Sequence, residues 1–251
     1  MIDYTSSTKD LADSGIDTAI ISVGSTEQCG PCLPLHLDTL CAEYYARAFG
    51  EALNAYVLPP FPFTTAEEHS SFRGTITLRP TTMMRVLEEI VAVLREQGFR
   101  KQALVVTHGG AKWVEAFVKD MNWRYRDIIV INALSGASKI RRKAIEHAGF
   151  TDPTEMHGGV ISRALAMFLA PECVSPGEFG RKVPAAMFAY KGYVTWDRIT
   201  PDGSWGRYTE ADAGLATAEA GRALMEYFVT HYTPVLVDHM EEACRLKGIC
   251  R

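Results

Sequence analysis

The sequence lacks the features that would place the protein in a membrane, on a nucleic acid or in a secretory compartment. No apolar run approaches the about 20 residues that a membrane-spanning helix needs. No block of Lys and Arg appears and the formal net charge is -4, so we expect neither nucleic acid nor membrane as a partner. The N-terminal residues 1–4 also lack the basic and apolar regions of a signal peptide.

Cysteine is too scarce for a disulfide framework, because the 251 residues contain only six. With no secretory signal, we expect reduced thiols and a cytoplasmic protein. Hydrophobic residues make up 47% of the chain, which is enough to bury a substantial core. We therefore predict a single domain over residues 1–251.

Three short apolar runs predict buried strands at 18–23, 103–107 and 128–131. Segments with helical periodicity separate them, and two further helices are predicted near 211–229 and 233–246. Strands that alternate with helices predict a three-layer α/β/α fold with a mainly parallel central sheet, and these three strands at its centre. The segment 171–206 is punctuated by Pro and Gly, and we predict a loop excursion near the site.

The loop after the first predicted strand, residues 24–38, is rich in side chains that can hold a metal. Open α/β sheets keep their active sites where a strand runs through such a loop into a helix. Asp38 is also predicted as the N-cap of the following helix. The metal-competent side chains of this loop are Glu27, Cys29, Cys32, His36 and Asp38.

This loop resembles the signature of the creatininase family of metal-dependent amidohydrolases, Gly-Ser-x-Glu-Gln-His-Gly-Pro-His-Leu-Pro-Leu-x-x-Asp. The match runs without a gap from Gly24 to Asp38, with Cys29 and Cys32 at two histidine positions. Three later segments also resemble family motifs, and each contains a histidine: His69, His108 and His157. The resemblance covers nearly the whole chain and implies a creatininase-like fold.

The resemblance implies a hydrolase in which divalent metal polarises a carbonyl and activates water. Two further carboxylate positions of the family fall on Gly110 and Ser162, so we favour one metal, although one or two per chain stay open. A shell with imidazole and a thiolate favours zinc, with manganese as the alternative. Carried over position by position, the metal ligands would be Glu27, Cys29, Asp38 and His108.

The remaining candidate residues are assigned to catalysis or to substrate binding. By resemblance, His157 is the general acid/base, and Glu155 would orient it, bind substrate or supply a missing metal ligand. His36 is the other candidate for a missing ligand. His69 would contact substrate or shape its loop, while the aromatic rings would line a pocket for a flat ring or form an oligomer contact. The predicted substrate-binding residues are His36, His69, Trp196 and Trp205.

The predicted activity is hydrolysis of a C–N bond in a small cyclic amide or a formamide. One alternative is hydrolysis of a C–C bond in a cyclic diketone, such as a dehydro-inosose from inositol breakdown. Another is a catalytically impaired subunit that binds a metabolite. A third is a thiol enzyme in which His108 or His157 activates Cys29. By resemblance we also expect a homo-oligomer, most simply a hexamer.

Overall fold

A computed structural model shows a parallel five-stranded sheet between helices, and describes residues 1–151, 155, 157–180 and 183–249, without the side chain of residue 185. The strands are β1 (Ile2–Asp3), β2 (Thr18–Val23), β3 (Tyr56–Val57), β4 (Lys101–Val106), β5 (Ile129–Asn132), β6 (Phe179–Gly180) and β7 (Arg207–Tyr208). The helices are α1 (Thr8–Ser14), α2 (Leu37–Ala52), α3 (Pro80–Glu96), α4 (Val114–Arg124), α5 (Ser138–His147), α6 (Val160–Leu169) and α7 (Ala218–Lys247).

The main sheet has the strand order β1-β3-β2-β4-β5, and every neighbouring pair is parallel. The predicted α/β fold with a mainly parallel sheet is thus confirmed. The prediction that places β5 at the centre is wrong, because β5 is an edge strand. Two strands of only two residues each, β1 and β3, extend the opposite side of the sheet. Such short strands leave no periodic pattern in a sequence.

Helices cover both faces of the sheet. Successive side chains of a strand point to opposite faces, so Ile20 packs with α2, α5, α6 and α7. Its neighbours Ala19 and Ile21 pack with α3 and α4 on the other face. All six residues of β2 are buried, which explains its continuous apolar run. The result is the predicted three-layer arrangement.

The carboxyl ends of β2 and β4 form the crevice of the sheet. After β2 the chain turns into α2 on one face, whereas after β4 it turns into α4 on the other. Open α/β sheets bind ligands at such a switch point. The turn after β2 is tight, since a Cβ on Gly24 would overlap the backbone of Thr39. The loops that follow β2 and β4 therefore face each other across the crevice.

Asp38 does not cap α2, so the prediction of an N-cap at this position is wrong. The helix begins at Leu37, its N-cap position is His36, and no side chain makes a capping hydrogen bond there. Asp38 instead lies in the first turn, where the helix dipole favours a negative charge. Its carboxylate is consequently free to face the crevice.

The C-terminal region forms the single helix α7 rather than the two helices predicted. Pro234 lies inside it, and a proline removes one backbone hydrogen bond. The helix continues because residues on both sides of the proline, including Phe228, Tyr232 and Leu236, are buried in the core. Neither this 30-residue helix nor any other in the described part of the chain is long and apolar enough to cross a bilayer.

The excursion between α6 and α7 lies beside the crevice. Strand β6 pairs antiparallel with β7, which anchors the described part of the segment. Close to this ribbon, the backbone of Trp205 exchanges two hydrogen bonds with that of His157. This connects the excursion directly to a predicted site residue.

Candidate metal centre

Glu27 is the centre of the polar cluster in the crevice. Its buried carboxylate lies 2.8 Å from His108 Nδ1 through Oε2, and 3.5 Å from His69 Nε2 and 3.7 Å from His157 Nδ1 through Oε1. Despite these distances, neither oxygen makes a hydrogen bond of good geometry to any of the described residues. Burial raises the pKa of Glu27, and the charge of Asp38 adds to this effect. Buried carboxylate oxygens without hydrogen bonds are costly unless a cation compensates them.

Glu27, Asp38 and His108 form a first group of metal-competent side chains. Each offers a ligand atom, and the three atoms lie within 4.8 Å of one another. Asp38 comes from the first turn of α2 and His108 from the loop after β4. Asp38 Oδ2 lies 3.3 Å from His108 Nδ1 and accepts a hydrogen bond from Ser25 Oγ at 3.0 Å. Two carboxylates and an imidazole suit a divalent transition metal.

The electrostatics of this first group favour a positive charge at its centre. Burial acts to lower the pKa of His108, but Asp38, Glu27 and Glu68 together raise it to about 12. Burial likewise acts to raise the pKa of Asp38, yet His108, His157 and Ser25 lower it on balance. The carboxylates that stabilise a protonated imidazole would equally stabilise a metal cation.

Glu27, His69 and His157 form a second group, again with ligand atoms within 4.8 Å of one another. The two imidazole rings stack, with centroids 4.4 Å apart and an interplanar angle of 20°. The second group shares Glu27 with the first. Whether its histidines can bind a cation depends on which ring nitrogen carries hydrogen.

Gln28 determines this for His69. The Gln28 amide nitrogen donates to the carbonyl of Gly203 at 2.9 Å, and its amide oxygen accepts from the Gly30 backbone at 2.9 Å. With the amide oriented in this way, its second hydrogen points to His69 Nδ1 at 2.7 Å. Burial lowers the pKa of His69 well below its usual value, so the ring is neutral and its one hydrogen is on Nε2. His69 therefore directs an N–H group toward Glu27.

The backbone of Gln28 determines the tautomer of His157. His157 Nε2 lies 2.6 Å from the Gln28 carbonyl oxygen, and such a contact requires a hydrogen on Nε2. The lone pair of a neutral ring is then on Nδ1, the atom that faces Glu27. This lone pair can accept a proton or bind a metal.

We expect Gln28→Leu to release the constraint on the tautomer of His69. The variant keeps the volume of the side chain but removes the amide that bonds His69, Gly203 and Gly30. Leaving buried polar groups unpaired should lower the free energy of unfolding by about 1–3 kcal/mol. Long-range ¹⁵N NMR should show loss of the Nε2–H tautomer of His69. An unchanged His69 spectrum would contradict the role assigned to Gln28.

Cys29 and His36 lie outside both groups of ligand atoms. Cys29 is buried in the hydrophobic core, and burial raises the pKa of its thiol well above the usual range, with Asp38 and Glu27 adding to the shift. The neutral thiol is a weak ligand and a weak nucleophile. His36 is half-buried at the N-cap position of α2. Metal or substrate binding by these two residues stays a prediction.

Glu155 stabilises the start of α6. Its Oε1 accepts hydrogen bonds from the backbone of Gly159 at 3.1 Å and Ser162 at 2.9 Å, and its Oε2 accepts from Ile161 at 2.9 Å. Burial raises the pKa of Glu155, while these backbone bonds act in the opposite direction. The carboxylate thus fixes the helix that begins just after His157, and a direct role in catalysis stays a prediction.

The two predicted tryptophans occupy different positions. Trp196 contacts the site edge-on, with ring centroids 4.5 Å from His69 and 5.2 Å from His157. Trp205 packs behind it, 2% exposed, and holds the backbone of His157. Trp196 is therefore a wall of the site, whereas Trp205 supports that wall from the core.

The sequence interpretation assigned no role to Gln28 or Glu68. Glu68 Oε1 lies 3.5 Å from His108 Nε2, on the side of the ring away from Glu27. Each is adjacent in sequence to a predicted site residue, Gln28 to Glu27 and Glu68 to His69. This adjacency is the signal that could have identified them.

A family model with the description creatinine amidohydrolase matches residues 4–236. The chain belongs to the creatininase family. Over 91 residues it is 34% identical to the mycofactocin precursor peptide peptidase of Mycolicibacterium smegmatis, and this covers 34% of the chain and 36% of the relative. Over 224 residues it is 21% identical to the creatinine amidohydrolase of Pseudomonas putida, which covers 84% and 85% of the two chains. Both names denote hydrolases, and this creatininase-family chain is a hydrolase.

Solved structures of the creatininase family share the fold. A candidate creatinine amidohydrolase from Bacteroides fragilis superposes with a TM-score of 0.73 and 24% identity, over 94% of both chains. Two creatininase structures are named by their metals, Mn in one and a Zn–Zn pair in the other, with TM-scores of 0.70 and 0.67. They are 18% and 17% identical over 95% of this chain and 98% of theirs, so the likeness shows the fold.

Proposed function

We propose that this hydrolase cleaves a C–N bond of a small cyclic amide or a formamide with the help of one divalent metal. Glu27, Asp38 and His108 would hold the metal. The observation that carries the proposal is the buried Glu27 carboxylate, whose two oxygens lack hydrogen bonds of good geometry in a crevice lined by imidazoles and a second carboxylate. Carboxylate and imidazole ligands accommodate zinc, our first choice, as well as manganese.

A divalent metal at this position supplies Lewis-acid polarisation of the scissile carbonyl and a lowered pKa for attacking water. Side chains around Glu27 would transfer protons, orient the site and exclude water. His157 Nδ1 carries the lone pair that would take a proton from the attacking water and return it to the leaving nitrogen. His69 would keep its Nε2–H on the side of Glu27, 3.5 Å from Oε1. Trp196 would exclude bulk water from the imidazole pair.

The preference for one metal comes from the hydrogen on His69. A nitrogen that carries hydrogen cannot bind a metal, so the second group contributes Glu27 and His157 but not His69 in the tautomer that Gln28 selects. A Zn–Zn pair is named for one relative, and two ions per chain are the competing proposal. The metal count therefore tests the single-metal proposal directly.

Elemental analysis of the purified protein should give about one zinc or manganese per chain, and extensive chelation should remove it. Two ions per chain would contradict the single-metal proposal and would mean that His36, Glu155, His69 or another residue completes a second site. A protein that neither contains metal nor takes it up on titration would contradict the proposed function. In that case alkylation of Cys29 would distinguish a thiol enzyme from a subunit that only binds a metabolite.

The substrate class is tested by a panel of cyclic amides, N-formyl compounds, short peptides and cyclic 1,3-diketones. We expect release of an amine from a cyclic amide or a formamide. Cleavage of peptides is the second candidate, because a 91-residue stretch is 34% identical to a peptide peptidase. If the protein turns over only a diketone, the proposed reaction becomes hydrolysis of a C–C bond instead of a C–N bond.

A homo-oligomer, most simply a hexamer, is also proposed, and family membership is its support. Light scattering on the purified protein measures the assembly directly. A monomer at micromolar concentration would contradict this proposal. It would leave the metal site unaffected, because all the ligands come from one chain.

A further inference from the structure

We propose that Glu68 is a positioning residue for His108, and that position 110 is glycine because the Glu68 carboxylate occupies the space of its side chain. Glu68 would accept a hydrogen bond from His108 Nε2–H and leave Nδ1 to face Glu27 and Asp38. The inference rests on the proposed metal site and concerns how one of its ligands is oriented.

The two nitrogens of the His108 ring face different carboxylates. Nδ1 lies 2.8 Å from Glu27 Oε2 and 3.3 Å from Asp38 Oδ2, and on the other side Nε2 lies 3.5 Å from Glu68 Oε1. The His108 side chain is 3% exposed, and Nε2 makes no hydrogen bond of ideal geometry within the described residues. Glu68 Oε1 is thus a carboxylate oxygen on the Nε2 side of the ring, at the limit of hydrogen-bond distance.

Gly110 leaves room for the Glu68 carboxylate to lie close to the His108 ring. A Cβ built on Gly110 would overlap Glu68 Oε1 and His108 Nε2, and would lie 2.9 Å from Glu68 Cδ. Its φ lies outside the left-handed region, so the backbone itself would accept alanine. The adjacent Gly109 has nothing within 4 Å of the equivalent position. The two glycines therefore differ in whether a methyl group would displace the Glu68 carboxylate and the His108 ring.

The consequence of this contact follows from how histidine binds metals. A ligating imidazole uses one nitrogen and donates through the other, and a carboxylate acceptor fixes the tautomer and makes the ligand more basic. The short 3-10 helix Glu67–His69 would then serve both groups, with Glu68 against His108 and His69 against Glu27. One turn of chain would orient two of the residues that surround the metal.

We would measure zinc affinity by competition with a chromophoric chelator for two pairs of variants. Glu68→Ala should weaken zinc binding by about 10–100-fold, whereas removing the exposed neighbouring carboxylate in Glu67→Ala should leave it unchanged. Gly110→Ala should also weaken binding, because its methyl group would displace Glu68 and press on the His108 ring, and Gly109→Ala should not. Glu68→Gln keeps an acceptor oxygen and should retain most of the affinity.

Replacing a residue with a merely structural role would not change the tautomer of His108. We would therefore also measure that tautomer. In the zinc-loaded protein, ¹⁵N NMR should show zinc on Nδ1 and hydrogen on Nε2, and Glu68→Ala should mix the two tautomers. Zinc on Nε2, or affinity within twofold of the native protein in Glu68→Ala and Gly110→Ala, would overturn the inference while leaving the metal site intact. Absence of zinc and manganese binding by the native protein would overturn both proposals.

Discussion

Glu27→Gln should give a folded protein that no longer binds metal and has lost more than about 100-fold in activity. That loss exceeds the about 10–100-fold cost of replacing a residue that only orients a ligand, because Glu27 is proposed as a direct ligand. The substitution preserves shape and removes one negative charge from the centre of the cluster. His108 and Asp38 would remain, but two ligands are too few to hold a divalent ion firmly.

The thermal stability of the metal-free Glu27→Gln variant should not fall, although its metal binding and activity are lost. Burial raises the pKa of Glu27, so the ionised carboxylate destabilises the metal-free fold. A neutral amide removes that cost, and the metal-free variant should melt at or above the temperature of the metal-free native protein. Added zinc should raise the melting temperature of the native protein only, since a ligand stabilises the state that binds it.

The matched control is Glu67→Gln, which removes the charge of an exposed carboxylate and should change neither measurement. If Glu27→Gln unfolds the protein instead, Glu27 is a structural residue whose charge the fold needs. If it binds zinc as well as the native protein does, the metal lies elsewhere. Either result would refute the proposed centre.

The sequence was sufficient to predict the three longer strands of the main sheet and several residues that the structure brings together in the crevice. Long apolar runs such as Thr18–Val23 predict strands because a strand buried on both faces needs an apolar side chain at nearly every position. Glu27, Asp38 and His108 could be selected because they lie in segments that follow predicted strands and resemble motifs of the creatininase family. Their convergence in the crevice then follows from the parallel order of β2 and β4.

The features of the fold and the site that could not be predicted depend on which contacts form in the folded protein. Whether Pro234 ends a helix depends on how much apolar surface the residues beyond it bury. Whether His69 donates a hydrogen bond or binds a metal through Nε2 depends on the orientation of the Gln28 amide. Hydrogen bonds to Gly30, nearby in the sequence, and to Gly203, far from it, determine that orientation. The partnership of Glu68 with His108 requires an empty position at Gly110, and a glycine in a sequence does not reveal what fills the space beside it.

His157→Gln should lower kcat by about 10²–10⁴-fold and leave the metal content at about one ion per chain. Glutamine is the informative replacement, because its amide nitrogen can occupy the position of the imidazole Nε2 and keep the donor to the Gln28 carbonyl. The Nδ1 lone pair that faces Glu27 is then the atom lost. The backbone hydrogen bonds to Trp205 do not involve the side chain and should persist.

The measurement combines steady-state kinetics, on whichever panel substrate the native enzyme turns over, with elemental analysis of the same preparations. His239→Ala, which removes an exposed histidine of α7, is the control and should behave like the native protein. Exogenous imidazole should restore part of the rate in a variant that lacks only a proton acceptor. If His157→Gln instead loses bound metal in step with its activity, His157 is a ligand, and Glu27 joins it to the other ligands of the centre. In that case the proton acceptor must be sought among the remaining groups at the rim of the crevice.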